Sequence, residues 1–209
     1  MSCVVSYGLV DADYGMRLRA GSGLADGPFY MLSLTRFLPS SGQILGRSSS
    51  QDPDNAYVPI AFLRAAGATL CFVADVVAGS DDFDRVGVIR YPTRRAFIEL
   101  QDSSNTKEWV ARKAQRAERL IMLGVISGGG LPIGHSQRVL AEVWHGPAPE
   151  PIAAGTATEF EVEGTYIGDG RQWSGARFTP IDPGTALPLQ PARFGYLAVL
   201  VEPVIERWM

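Results

Sequence analysis

Two stretches of this chain are built on one plan. Cys71–Gly79 (CFVADVVAG) and Phe160–Gly168 (FEVEGTYIG) align at a constant offset, and Phe83–Tyr91 aligns with Trp173–Ile181 after one inserted residue. A duplicated strand pattern constrains the fold strongly, because each half must then build a similar sheet. In the first half, Phe29–Leu38, Thr69–Ala78, Asp84–Tyr91 and Arg119–Ile126 read as strands. Tyr57–Ala66 reads as a helix with Pro59 in its first turn and Gly67 as its stop, and Pro92 opens a helical stretch over Thr93–Leu100. Asp102–Asn105 caps a further helix, Lys107–Glu118. The order is then β-α-β-β-α-β.

The second half repeats the strands and drops the helices. Arg138–His145, Phe160–Gly168, Trp173–Ile181 and Arg193–Val201 read as strands, joined by Gly146–Ala157 and Asp182–Pro191, both rich in Pro and Gly. The expected organisation is an N-terminal extension over 1–28, a first unit over 29–127, a linker over 128–137 and a degenerate second unit over 138–209. Two unrelated domains are the alternative. Along Thr69–Ala78, period-two alternation puts Leu70, Phe72, Ala74 and Val76 on one face, and their aligned partners are Glu159, Glu161, Glu163 and Thr165. A face that is apolar under helices and acidic without them fits the duplication. By this reading Cys71, Val73, Asp75 and Val77 face inward, with Phe160, Val162, Gly164 and Tyr166 opposite them.

Composition removes whole classes of function. With 19 basic and 22 acidic residues the net charge is −3, so nothing neutralises a nucleic-acid backbone. The apolar runs, such as Leu120–Ile126, are far short of the roughly 20 residues a membrane helix needs. No secretory leader is read at the N-terminus, and a cytoplasmic location is expected. Cys3 and Cys71, the two cysteines, form no C-x-x-C, and no His/carboxylate spacing suits a metal. No cofactor is expected, and an oligomer is allowed. The predominance of arginine over lysine, with much Ala and Gly, points to a GC-rich bacterial genome.

Residues 30–126 carry a further signal in Tyr91-Pro92-Thr93, Ala96-Phe97 and the polar stretch Asp102–Trp109 before the last strand. Together these resemble the DUF1330-like members of the dimeric α+β barrel superfamily. The resemblance covers about half the chain and implies tandem ferredoxin-like repeats that form a single-chain, pseudo-dimeric α+β barrel with a small-ligand cavity. It implies no particular activity. Proteins similar in fold include cofactor-independent monooxygenases, polyketide cyclases, isomerases and haem-dependent peroxidases.

Asp75 stands in an otherwise apolar strand, where a carboxylate needs a partner or a raised pKa, as a general acid or base does. His145 ends the first strand of the second half, at the edge expected for Asp75, Tyr166 and Trp173. Arg90, set opposite Cys71 by hairpin register, faces inward and suits a carboxylate or enolate. The expected function is that of a small-molecule enzyme of secondary metabolism, an isomerase, cyclase or cofactor-independent monooxygenase acting on a hydrophobic, aromatic or polyketide-like substrate. In it Asp75 and His145 exchange protons while Arg90, Tyr166 and Trp173 bind substrate. Each residue also has a structural explanation: a solvated or turn-capped Asp75, a backbone-bonded His145, an Arg90 that snorkels to the rim. The alternative function is a noncatalytic carrier or interaction module using the acidic face of Glu159, Glu161 and Glu163.

Overall fold

A computed structural model describes residues 3–5, 7–21, 29–38, 60–80, 82–103, 106, 116–127, 137–189 and 195–203. The strands are β1 (Cys3–Val5), β2 (Gly8–Val10), β3 (Phe29–Phe37), β4 (Thr69–Ala78), β5 (Arg85–Tyr91), β6 (Ala117–Ile126), β7 (Arg138–Trp144), β8 (Thr158–Gly168), β9 (Gly175–Ile181) and β10 (Tyr196–Pro203). The described helices are α1 (Ala12–Ala20), α2 (Ile60–Ala65) and α3 (Arg94–Asp102). All strand pairs are antiparallel. The sheet runs β1-β2-β8-β6-β3-β5-β4-β10-β7-β9, and a β8–β9 pairing joins its far edge back to β8. Eight strands, β3 to β10, therefore close into a barrel, and the β1–β2 hairpin extends β8 outward.

This corrects the expected fold class. The described residues form an antiparallel β-barrel with few helices, not an α+β barrel of tandem ferredoxin-like repeats. The physical reason lies in where apolar surface is buried. Alternate residues of every barrel strand, among them Leu32, Val86, Leu123, Val139, Phe178 and Val199, form one buried core inside the closed sheet. Closure hides that face without any helical layer. Runs apolar on both faces, such as Leu120–Val125, are buried on the outside as well, where Leu120 and Met122 meet Leu18 and Phe97 of the helices. Four consecutive strands make each half, and each set follows the same order, fourth-first-third-second.

The outer faces are covered in different ways. Around the first half, α1, α2 and α3 bring in Tyr14, Leu18, Leu63, Phe97 and Ile98. Asp11 caps α1 by accepting from the amides of Asp13 and Tyr14, and Thr93 caps α3 through the amide of Ala96. Around the second half the non-helical connections do this work, Ile152, Ala153, Leu187 and Leu189 packing on Leu140, Ile181 and Leu200. The expected helix over Lys107–Glu118 falls mostly outside the described residues, as do His135 and the linker up to residue 136.

A bulge decides which residues face inward. In the β4–β5 ladder Leu70 pairs with Ile89 and Phe72 with Val88, so Cys71 is an extra residue. Leu70 joins the outer cluster, while Cys71 and Phe72 both meet the interior. Every later residue of β4 is inverted relative to simple alternation. Phe72, Ala74 and Val76 point in; Val73, Asp75 and Val77 point out. Two irregularities in β8 fall later, at Glu163, because Val125 pairs with Val162 and Gly124 with Gly164, and at Tyr166, because Leu123 pairs with Thr165 and Met122 with Ile167.

Candidate functional site

One end of the barrel is capped. Phe83, ahead of β5, and Trp173, ahead of β9, are both buried in the interior core. The Arg171 guanidinium lies 5.1 Å from the Trp173 ring centre and 5.6 Å from that of Phe83. Arg171 also pairs with Asp169 at 2.6 Å and with Asp82 at 3.8 Å, tying the β8–β9 connection to the β4–β5 turn. His145 is exposed at this end. Its amide donates to the Gly195 carbonyl, and its Nδ1 lies 3.5 Å from the Ser174 hydroxyl. The indole N–H of Trp173 is buried with no hydrogen-bond partner among the described residues.

The opposite end has different chemistry. Tyr30 of β3 lies directly across from Arg90 of β5, which in turn lies across from Thr69 of β4. Directly opposed residues share a face. Tyr30 belongs to the interior core, so Arg90 and Thr69 stand on the inner side at the rim, where both are exposed. Cys71 joins them through the bulge; burial pushes its thiol pKa up, and the Arg90 amide and charge pull it part of the way back. From this mouth a file of rings runs inward: Tyr30 to Phe160 at 5.5 Å, Phe160 to Phe178 at 5.7 Å and Phe178 to Phe72 at 5.7 Å, all edge-on.

The residues read from the sequence are therefore dispersed. Asp75 faces outward and is held by Arg85, whose Nε and Nη2 both lie 2.7 Å from its Oδ1. The pair is nearly inaccessible, and Arg85 also stacks over Phe37 at 5.3 Å. Across the strand from Asp75 stands Glu202, which pairs with Arg138. Tyr166 packs on the outside, with its ring 5.0 Å from that of Phe97. Trp173 and His145 share the capped end, and Arg90 stands at the other. Arg90 lies opposite Tyr30 and Thr69 instead of Cys71: the hairpin register set at Asp75–Arg85 would bring Leu70 across from it, and the bulge at Cys71 shifts that place to Thr69. Tyr30 is the residue that sequence reasoning missed; alternation along FYMLSL places it with Leu32 and Leu34.

Two further polar clusters lie outside the barrel. Glu163 receives Arg94 Nε at 2.8 Å and the Tyr14 hydroxyl at 2.9 Å, and Arg94 stacks over Phe29. Burial, and then the neighbouring Glu163 carboxylate, raise the Tyr14 pKa far above its ordinary value. In the second half Arg177 donates to Glu159 at 2.8 Å and to the Pro149 carbonyl at 3.1 Å. Fully buried Glu142 accepts the Tyr196 hydroxyl at 2.8 Å and pairs with Arg177 at 3.5 Å. Each carboxylate in these clusters has its partners, which suits structural locks.

Fold and site together define a closed antiparallel β-barrel, capped at one end, with an arginine- and tyrosine-bearing mouth at the other. No protein-family model matches the chain, and no curated protein matches it. Among solved structures it is similar to the RPA0582 protein of Rhodopseudomonas palustris, a protein of unknown function, at 19% identity and a TM-score of 0.41 over 55% of this chain and 91% of that one. The methylated RPA0582 protein gives 21%, 0.37, 55% and 89%. Likeness at this level says nothing about activity. No described helix is long and apolar enough to cross a membrane.

Proposed function

We propose that this protein binds a small, flat, apolar molecule at the mouth formed by Tyr30, Thr69, Cys71 and Arg90. The observation that carries this reading is the ring file Tyr30–Phe160–Phe178–Phe72, which brings aromatic surface from the interior to that end. Apolar walls with a few converging polar groups are the usual composition of a ligand site. The other end is occupied by Phe83, Trp173 and the Arg171 ion pairs, which favours entry from the Arg90 side. Proton exchange between Asp75 and His145 is not part of this reading, because the Asp75 carboxylate is already committed to Arg85 on the outer face. The substrate class read from the sequence, hydrophobic and aromatic, is retained.

The test uses N-phenyl-1-naphthylamine, a neutral aromatic fluorophore. Saturable binding of one probe per chain is expected. Thr69→Trp, which adds bulk at an exposed rim position, should weaken it about tenfold or more, the equivalent of roughly 1.4 kcal/mol. Met16→Asp and Val77→Ser remove exposed apolar side chains elsewhere and should leave binding unchanged. Binding indifferent to Thr69→Trp, or lost in Met16→Asp or Val77→Ser, would place the probe on the outer surface and overturn the reading.

A further inference from the structure

We infer that the ligand of this mouth is a carboxylate, specifically an aromatic acid whose ring meets Tyr30 and whose carboxylate is gripped by Arg90. This deepens the binding reading above and rests on it. Ten of the described arginines have their charges engaged. Arg19, Arg36, Arg85, Arg94, Arg95, Arg119, Arg138, Arg171 and Arg177 all pair with carboxylates, and Arg17 lies over the Tyr14 ring. Arg90 has no described carboxylate within ion-pair distance, yet its strand position places it on the interior side, two residues from fully buried Val88. An exposed rim arginine on the interior side, with no counter-ion among the described residues, has its guanidinium open to an incoming anion.

Its surroundings define the missing half. The guanidinium is a planar fork of donors that matches the two oxygens of a carboxylate. Tyr30, directly opposite and about nine-tenths buried, has a hydroxyl with no partner among the described residues, available as a further donor to the same anion. Its ring is the first of the aromatic file, so an anion held by Arg90 and Tyr30 directs an attached ring toward Phe160. Cys71 and Thr69 form the remaining wall, and neither brings a negative charge that would repel the acid.

Calorimetric titration with 2-naphthoate, its neutral isostere 2-naphthamide and 2-naphthalenesulfonate at neutral pH separates the possibilities. The expected result is naphthoate at least tenfold tighter than the amide, with the sulfonate weaker than naphthoate because its tetrahedral head does not match the fork. Arg90→Met should bring naphthoate down to the level of the amide, and Arg90→Lys should recover only part of the preference. Tyr30→Phe should weaken naphthoate severalfold and leave the amide unchanged. Arg90 is exposed, and unaltered thermal midpoints in its variants are the folding control. Equal binding of acid and amide, or a preference that survives Arg90→Met, overturns the carboxylate assignment while leaving the binding reading in place. Sulfonate as tight as naphthoate overturns carboxylate specificity in favour of anions at large. Failure of all three probes overturns both.

Discussion

Replacing Asp75 with asparagine tests the argument that moved this residue from a candidate catalyst to a structural one. The carboxylate is 8% exposed and its partner Arg85 is 4% exposed, with two contacts at 2.7 Å. Asparagine keeps the shape and deletes the charge, so a buried guanidinium loses its counter-ion while its Nη1 is already without a partner. Breaking one side of a buried pair costs about 3–5 kcal/mol. That is a fifth or more of the ordinary stability of a domain, about 5–15 kcal/mol. For a chain of this size it corresponds to a melting temperature lower by roughly 6–20 °C. Urea unfolding followed by tryptophan fluorescence reads the loss as a shift of midpoint at unchanged slope. The double variant Asp75→Val with Arg85→Met removes both charges, also relieves Asp75 of its cross-strand neighbour Glu202, and should return to within about 2 kcal/mol of the parent. A loss below about 1 kcal/mol in Asp75→Asn would refute the reasoning. It would mean the pair is solvated, and would restore Asp75 as a group free to exchange protons.

Two further outcomes follow from the outer clusters. A β-carbon added at Gly164 would lie 2.5 Å from the Tyr14 ring, and one at Gly124 would collide with its hydroxyl, so both glycines form a slot for that ring. Gly164→Ala should cost about 1–3 kcal/mol in chemical denaturation, and part of that should return when Tyr14 is also made leucine. Tyr7, Tyr14, Tyr91, Tyr166 and Tyr196 all have pKa values raised chiefly by burial. For Tyr14 and Tyr196, the Glu163 and Glu142 carboxylates that accept their hydroxyls add to the rise, and Arg94, Arg17 and Arg177 oppose it. Below about pH 10 these phenols are neutral in both folded and unfolded chains, and stability is independent of them. Above it the unfolded chain ionises first and binds fewer protons, so stability falls as pH rises toward the folded values. Urea midpoints should fall as pH is stepped from neutral to strongly alkaline, and tyrosinate absorption should rise as the chain unfolds; a flat midpoint would contradict the burial of these groups.

Much of the strand layout was legible in the sequence, since Phe29–Leu38, Thr69–Ala78 and Arg138–His145 each overlap a strand of the barrel. The class was not, because alternation reports which faces are buried and not what buries them. In TLCFVADVVA both faces are apolar enough to serve as either side, and a one-residue bulge at Cys71 leaves no compositional trace. That single residue reversed the assignment of Asp75, and separate irregularities in β8 turned Tyr166 outward. Glu163 was read with Glu159 and Glu161 as one acidic face, yet it lies beneath Tyr14 and Arg94. Its partners come from elements far away in sequence, α1 and α3, which no local pattern connects to β8. Arg90 kept its inward orientation because β5 has no bulge.

The ladders of the barrel are unequal. The β3–β5 and β7–β9 ladders each run through seven opposed pairs, whereas β8–β9, within the second half, and β4–β10, between the halves, have four each. In β4–β10 one of the four is Pro203, which has no amide hydrogen to give. The remainder of the β8 edge is occupied by the N-terminal hairpin through Ile167 and Gly168. Opening energies within a folded protein follow such differences, the least-bonded joints parting first. The first half is thus a stiff panel, and thermal breathing concentrates along the β4–β10 line that joins it to the second.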